Sequence, residues 1–486
     1  MNYRIVLRTL GTMFIIIAFC MLPSAAVAVY YKDIVSLTAF LGVFLIMVVT
    51  GMALRTVKKK SDQVRLREGY LIVVATWLGA CFFCALPYVF SGAIPNFFDA
   101  LFESTSGVTT TGASILTNIE GLPTAMLFWR GFTHWMGGLG ILTMAIAILP
   151  ALGISGFQMA KAEASYSELS KATPKMADMA KALYKTYFIL TAACIILLML
   201  SDMNFIDAST HAFSAIATGG FSPRNGSVGE FNSAYVELVL GVFMIIGSIS
   251  FILLYNVFKK RKFINLLKNQ EVKFFMIILA MGFAFVTLML YAKGTYSTFG
   301  EALRHGFFQT VSVMTTTGFC TQDYNLWPVG VVLLLMALSV CGGCSGSTTG
   351  GVKAIRILIS LKIFAREYKK KLHPRAVYPI KVSGNVIQNE TGVTAASYIF
   401  LFFLVVIVGG VILSLDPGAD IVTAFTASLS SMTNLGPGLS LVGPAGNYAF
   451  FSEWAKVIMS FMMILGKLEI FAVMILLTPS FWNPYK

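Results

Sequence analysis

The chain has 486 residues, of which 57% are hydrophobic and only 12% charged, and its formal net charge is +14. That balance excludes a water-soluble protein of this size and points to a bilayer as the solvent. The positive charges lie in blocks between apolar stretches, so membrane topology accounts for them and nucleic acid is not expected as a partner.

In chain order, the first apolar stretches cover residues 9–30 and 34–54, each about the ~20 residues that span a bilayer. Arg4 and Arg8 before the first, and Ala25, Ala26 and Ala28 within its end, give it the outline of a signal peptide. A second apolar stretch follows within a few residues, so a retained helix is predicted. Residues 1–68 are read as two N-terminal transmembrane helices outside any repeat. Apolar stretches of spanning length then continue to the end of the chain, and no separate soluble domain is expected.

Alternate loops differ in charge. One set holds Arg55, Lys58, Lys59, Lys60, Arg65 and Arg67, then Lys161, Lys171, Lys175 and Lys181, then Lys259, Lys260, Arg261 and Lys262, and finally a run from Lys353 through Lys369, Lys370, Lys371 and Arg375 to Lys381. The other set holds Asp99, Glu103, Glu120, Asp202, Asp207, Glu230, Asp323, Asp416 and Asp420, with few bases beyond Arg224, Lys293 and Arg304. The positive-inside rule places the first set and both termini in the cytoplasm. The basic face also suits an acidic cytoplasmic partner.

One short pattern recurs four times in the acidic set, at intervals of roughly a hundred residues. It reads Thr109-Thr110-Thr111-Gly112-Ala113, Ile216-Ala217-Thr218-Gly219-Gly220, Thr315-Thr316-Thr317-Gly318-Phe319 and Thr433-Asn434-Leu435-Gly436-Pro437. Each copy sits between two apolar stretches, which predicts helix, short re-entrant helix, loop, helix in residues 69–181, 182–272, 273–391 and 392–486. The expected fold class is therefore an all-α integral membrane protein with four pseudo-symmetric repeats around one pore, two extra N-terminal helices, and about ten spanning helices.

Irregular backbone at membrane depth is tolerated only where it is buried in protein or lines a water-filled path. Four such loops imply a common axis. Rings of backbone carbonyls replace the water shell of a dehydrated monovalent cation, a glycine in each loop permits positive φ, and threonine hydroxyls add acceptors. Asp99, Asp207, Glu301 and Asp420 fall near the predicted starts of the short helices, where the dipole favours acid, leaving the negative helix ends aimed at the axis.

The seven cysteines, Cys20, Cys81, Cys84, Cys194, Cys320, Cys341 and Cys344, are odd in number and mostly lie in apolar runs, so neither a disulfide framework nor a metal site is expected. The histidines His134, His211, His305 and His373 are scattered, and no catalytic constellation recurs, so no enzymatic role and no bound cofactor are assigned.

These features resemble the TrkH/TrkG branch of the Trk/Ktr/HKT superfamily of potassium transporters over essentially the whole chain. The resemblance rests on the four loops, on Trp129-Arg130 with His134-Trp135-Met136-Gly137-Gly138-Leu139-Gly140-Ile141, on Asn434-Leu435-Gly436-Pro437-Gly438, and on Cys341 to Lys353. The two extra helices are similar to this branch rather than to the shorter KtrB type. The resemblance implies that Gly112, Gly219, Gly318 and Gly436 mark a selectivity filter formed with Thr110, Thr111, Ala113, Ala217, Thr218, Gly220, Thr316, Thr317, Phe319, Asn434, Leu435 and Pro437. Glycine rather than serine in the first loop implies potassium, K+, as the transported ion. It further implies a bacterial cytoplasmic-membrane location and a homodimer, one pore per subunit, joined to a cytoplasmic TrkA-like nucleotide-binding regulatory protein (NAD or ATP).

Gly342, Gly343, Ser345, Gly346, Ser347, Thr348, Thr349, Gly350 and Gly351 interrupt the helix after the third loop. Close helix packing explains them in one reading, and the resemblance implies an intramembrane gating loop below the filter. Lys467 and Glu469 are the unusual charges of the last apolar segment, and charge there usually faces a pore or a partner. Lys467 is expected below the filter as an electrostatic barrier; the alternatives are snorkelling or pairing with Glu469. Relatives commonly carry arginine there. A gated, channel-like potassium uptake protein leads, with a symporter coupled to H+ or Na+ as the nearest rival and a subunit of a potassium-pumping ATPase or a membrane enzyme behind it.

Overall fold

In a bilayer the backbone must satisfy its own hydrogen bonds, and the apolar segments do so as helices. The computed structural model describes residues 1–58, 66–140, 176–260, 264–387 and 389–483. Lys59, Lys60, Arg65, Lys161, Lys171, Lys175, Arg261 and Lys262 of the basic loops, and Ile141, lie outside the described residues.

Helix α1 (Tyr3–Phe19) and helix α2 (Leu22–Tyr30) form one span, followed by α3 (Ile34–Arg55). The span starts earlier than residue 9, taking Arg4 and Arg8 into its first turns. Gly11 of α1 and Gly51 of α3 meet so closely that a Cβ on either would lie 2.5 or 2.6 Å from the other's carbonyl oxygen, so only glycine allows this contact.

Four repeats follow. The first holds α4 (Leu66–Phe90), α5 (Phe97–Val108) and α6 (Thr124–Leu139). The second holds α7 (Met176–Met199), α8 (Phe205–Ala217), α9 (Ala234–Gly247) and α10 (Phe251–Lys260). The third holds α11 (Gln270–Ala292), α12 (Phe299–Met314), α13 (Val329–Cys341) and, beyond a loop, α14 (Ala354–Leu372). The fourth holds α15 (Asn389–Leu413), α16 (Ile421–Thr433), α17 (Glu453–Leu468) and α18 (Ile470–Leu477). A two-stranded hairpin, Lys381–Val382 with Asn385–Val386, leads into the fourth repeat. The all-α architecture of four repeats with two additional N-terminal helices agrees with the sequence.

About ten spanning helices are expected, and not all of them are straight. Among the described residues, six segments are each long and apolar enough to cross a membrane as one helix: Tyr3–Tyr30, Ile34–Arg55, Arg67–Phe90, Ala180–Met199, Gln270–Ala292 and Glu390–Leu413. The other four positions hold α6, α9, α13 and α17, of 16, 14, 13 and 16 residues, or about 20–24 Å against the ~30 Å of a hydrocarbon core. Each ends in a break. Gly140 (φ +75°), Gly342 (φ +63°) and Glu469 (φ +67°) close three of them, and the chain bends by 99° between α9 and α10 and by 117° between α17 and α18. Only the third break was expected. The cause is close packing against the pore helices: a Cβ on Gly137 would sit 1.8 Å from the Val108 carbonyl oxygen, and one on Gly466 2.3 Å from that of Met432.

The short helices α5, α8, α12 and α16 are the re-entrant ones. Asn96 caps α5, Asn204 caps α8, Thr298 and Glu301 form a capping box on α12, and Asp420 caps α16. The four acids thus sit where the dipole favours them, and all four serve ion pairs or caps: Lys456–Asp99 at 2.6 Å, Arg224–Asp207 at 2.7 Å, the Glu301 box and the Asp420 cap. Hydrogen bonding from Thr423, by its hydroxyl and then its backbone N–H, and from the Ser440 hydroxyl holds the Asp420 carboxyl below the usual carboxylate range. The contribution is complete at neutral pH and fades as pH falls through that lowered value. Replacing Asp420 by alanine is expected to cost about 1 kcal/mol, seen as a lower melting temperature at pH 7, with the difference vanishing in acid. Equal melting at pH 7 would refute the cap.

Candidate functional site

The four pore helices end in the same backbone figure, and its hydrogen bonds define the register. The N–H groups of Thr111, Gly219, Thr317 and Leu435 donate to the carbonyls of Ser106, Ser214, Ser312 and Ser430, at 2.8, 2.8, 2.9 and 3.1 Å. One residue earlier, Thr110, Thr218, Thr316 and Asn434 all adopt φ of 52–53°. An L-residue there costs roughly 1–2 kcal/mol, so surrounding contacts must hold it. One residue later come Gly112 (φ +85°), Gly220 (φ +86°), Gly318 (φ +85°) and Gly436 (φ +98°).

This register corrects the sequence alignment of the second loop. Gly220, not Gly219, is equivalent to Gly112, Gly318 and Gly436; Gly219 matches Thr111. Phe221 therefore joins Ala113, Phe319 and Pro437, and Ala217 falls back beside Thr109, Thr315 and Thr433. A signal for this was present. Serine stands six residues before the glycine in all four loops once Gly220 is used, and Phe213 breaks the column if Gly219 is used.

The glycines do more than permit positive φ. A Cβ on Gly112 would lie 2.2 Å from the Gly219 carbonyl oxygen; on Gly220, 2.0 Å from that of Thr317; on Gly318, 2.0 Å from that of Leu435; and on Gly436, 2.7 Å from that of Thr111. Each loop thus presses its glycine against the preceding carbonyl of the next loop, and the circuit closes from the fourth back to the first. The threonine hydroxyls, expected as ion ligands, are engaged with protein instead. Thr111 Oγ1 meets Thr109 Oγ1 at 2.8 Å and accepts from Asn434 Nδ2 at 3.0 Å, while Thr317 Oγ1 meets Thr315 Oγ1 at 2.7 Å.

A buried polar network that sequence reasoning did not assign holds the loops from behind. Glu103 and Arg130 pair at 2.8 Å with almost no exposure. Glu103 also accepts from Ser114 Oγ and the Ile115 N–H, and Arg130 donates to the Ser222 carbonyl and lies 4.1 Å from the centre of the Phe221 ring. Removing either partner alone would strand a buried charge. His134 joins the first pore helix to the second loop: Nδ1 donates to the Gly107 carbonyl at 2.8 Å and Nε2 accepts the Phe221 N–H at 3.1 Å. A carbonyl only accepts and an N–H only donates, which fixes the neutral Nδ1–H tautomer. The same ring fills the space beside Gly219, where a Cβ would lie 2.4 Å from it.

Against the four loops sits the loop of residues 342–351. Thr348 Oγ1 donates to the carbonyls of Ile216 (2.9 Å) and Gly247 (3.1 Å), and Thr218 Oγ1 donates to it at 3.3 Å. The Gly350 N–H donates to Thr316 Oγ1 at 2.8 Å, and a Cβ on Gly350 would lie 2.0 Å from the Thr433 carbonyl oxygen. Cys344 N–H bonds the Ser248 carbonyl at 2.8 Å, and Ser345 N–H donates to Glu271 at 2.5 Å. The Lys353 ammonium bonds the Thr349 carbonyl. Lys467 reaches the same place from α17, its ammonium donating to Thr110 Oγ1 and to the Thr348 carbonyl, both at 2.6 Å. Glu469 pairs not with Lys467 but with Arg356, at 2.8 Å, and that guanidinium lies 3.9 Å from the centre of the Tyr398 ring.

Sequence-predicted residues are thereby brought together: every loop, the 342–351 segment and Lys467 meet at one axis. Among the described residues no cluster of His, Cys, Asp or Glu suits a metal ion, and the oxygens offered at the axis are backbone carbonyls. Fold and site define a multi-pass membrane protein in which four re-entrant loops pack on one another in a closed circuit.

The chain belongs to the TrkH family of cation transport proteins, whose family model matches residues 36–483. It is 36% identical to the Trk system potassium uptake protein TrkH of Halomonas elongata and 35% identical to that of Escherichia coli (strain K12), covering 99% of this chain and 100% of each relative. Its fold is similar to the crystal structure of the potassium transporter TrkH from Vibrio parahaemolyticus, with a TM-score of 0.89 and 36% identity over 99% of this chain and 100% of that one. This is a family of transport proteins, not of enzymes.

Proposed function

We propose that the protein takes up potassium through a selective, gated, channel-like pore in a bacterial cytoplasmic membrane, with both termini in the cytoplasm. The closed circuit of carbonyls at Thr111, Gly219, Thr317 and Leu435, each packed on the next loop's glycine, carries the reading. It offers oxygens to an ion that has shed its water without burying a carboxylate on the path. The relatives' names as potassium uptake proteins support the ion. Gly342–Gly351 and Lys467 act as the gate, since they bond the inner residue of three loops directly.

The same reading includes a homodimer with one pore per subunit and regulation by a cytoplasmic nucleotide-binding partner; the Trk system names of the relatives and the basic loops support a partner. Coupled symport is the weaker reading, because the buried carboxylate Glu103 and the half-buried Glu469 are paired with Arg130 and Arg356. In liposomes holding the purified protein, K+ and Rb+ are expected to pass well above Na+ and Li+ with no imposed H+ or Na+ gradient, and added nucleotide is expected to act only with the partner present. Stoichiometric dependence on a proton gradient would overturn the channel reading.

A further inference from the structure

We infer that the outer site of the filter is three-sided, because Ser430 and Tyr448 hold the fourth loop's glycine carbonyl out of the pathway. This rests on the filter reading above and concerns how that filter discriminates between ions.

The glycine level of the filter is not fourfold. Gly112, Gly220 and Gly318 are half-buried, whereas Gly436 is buried. The Gly436 carbonyl oxygen accepts Ser430 Oγ at 2.6 Å and Tyr448 Oη at 2.7 Å, which occupies both of its lone pairs. Among the described residues no donor bonds the Gly112 or Gly220 carbonyl, and Gly318 receives only the Cys320 thiol at 3.5 Å. Of the equivalent serines, two bond one residue further on, Ser214 Oγ donating to the Phe221 carbonyl at 2.8 Å and Ser312 Oγ to that of Phe319 at 2.6 Å, and Ser106 Oγ bonds no carbonyl of its loop. The fourth loop is thus turned relative to the others, in line with φ of +98° at Gly436 against +85° to +86° in the other three.

Pro437 takes the vacated side. Its Cδ would lie 2.9 Å from a Cβ on Gly318, and it is half-buried where Gly436 is buried. Tyr448 is itself held firmly in place, because its N–H donates to the Ser114 carbonyl at 2.8 Å and its ring packs on Phe102 and Phe451. A cation at the outer level therefore meets three free carbonyls and an apolar wall, while at the next level inward it meets four carbonyls. Fewer ligands favour the smaller ion, so Ser430 and Tyr448 are positioning residues that limit potassium discrimination.

The test uses the full-length protein in liposomes with Tyr448→Phe, Ser430→Ala and the pair combined. Freeing the carbonyl is expected to raise the K+ to Na+ flux ratio by about threefold to tenfold in the double variant, the scale of one or two neutral hydrogen bonds, and to lower the half-saturating K+ concentration. Either single variant gives a smaller shift in the same direction, and if one fails to assemble the other carries the test. An unchanged ratio, or a uniform fall in flux for every ion, would overturn the proposal. If the unaltered protein itself fails to distinguish K+ from Na+, the filter reading falls with it; if only the variants keep its ratio, the filter stands and this assignment alone is wrong.

Discussion

Serine at Gly220 is expected to abolish discrimination between K+ and Na+, where serine at a residue merely near the proposed filter would not. Two costs coincide at this position. A side chain at φ of +86° is strained by roughly 1–2 kcal/mol, and its Cβ would lie 2.0 Å from the Thr317 carbonyl oxygen. Overpacking against backbone adds about 1–3 kcal/mol, because no flexible side chain is available to move aside. The sum, about 2–5 kcal/mol, corresponds to a loss of about 30-fold or more at 1.4 kcal/mol per decade. It falls on the carbonyl ring itself, since Thr317 must swing out of the circuit. The measurement is the K+ to Na+ flux ratio in liposomes, backed by growth of potassium-uptake-deficient cells at low K+. Gly219→Ala gives the contrast. Its Cβ meets the His134 ring rather than a neighbouring carbonyl, so His134→Ala relieves it in part, and no side-chain change relieves Gly220→Ser. A Gly220→Ser protein with the unaltered ratio would show that the register assigned to the second loop is wrong.

The second large effect is expected at Lys467. Its ammonium holds the inner threonine of the first filter loop and the Thr348 carbonyl of the loop below, both at 2.6 Å. On the proposed reading it therefore links the gating loop to the filter and places a positive charge beside the path of a cation. Hydrogen bonds from a charged group contribute about 1.5–3 kcal/mol each. Lys467→Ala removes both bonds and the charge, so open probability in single-channel recordings should rise about tenfold or more. Lys467→Arg restores the charge and should return gating close to that of the unaltered protein, while Lys467→Met keeps the length without the charge and should behave like alanine. Unchanged open probability in Lys467→Ala would end its gating role.

The sequence made the solvent, the four repeats and the depth of Lys467 legible because each is written in long-range statistics: composition, spacing and charge. What escaped it was local. The Thr-Thr-Thr-Gly strings drew the second alignment to Gly219, since Thr218-Gly219 copies Thr111-Gly112, although the backbone counts from the serine column instead. The breaks in α9 and α17 need no conspicuous glycine run, and Gly137-Gly138-Leu139-Gly140 at the end of α6 reads equally as close helix packing; a pore-helix carbonyl pressing on Gly137 or Gly466 is a contact between segments distant in sequence. Arg130 and His134 stood inside a quoted motif, yet their partners Glu103, Gly107 and Phe221 belong to other elements. The hydroxyls of Thr111 and Thr317 were read as ion ligands because sequence gives a residue's chemistry and not its rotamer.

The shortness of the four broken helices bears on how the chain enters the membrane. Helix α13, of 13 residues, is below the length that inserts stably alone, and α6 carries Arg130 and His134, the arginine alone costing about 2.5–3.5 kcal/mol at mid-bilayer. The six long segments have the length to enter independently. The others must wait for a neighbour: α6 becomes acceptable to lipid only when Glu103 on α5 neutralises its arginine, which commits pore helix and short helix to entering together as a hairpin. A variant that breaks the buried Glu103–Arg130 pair is therefore expected to reach the membrane in smaller amounts, before any transport is measured.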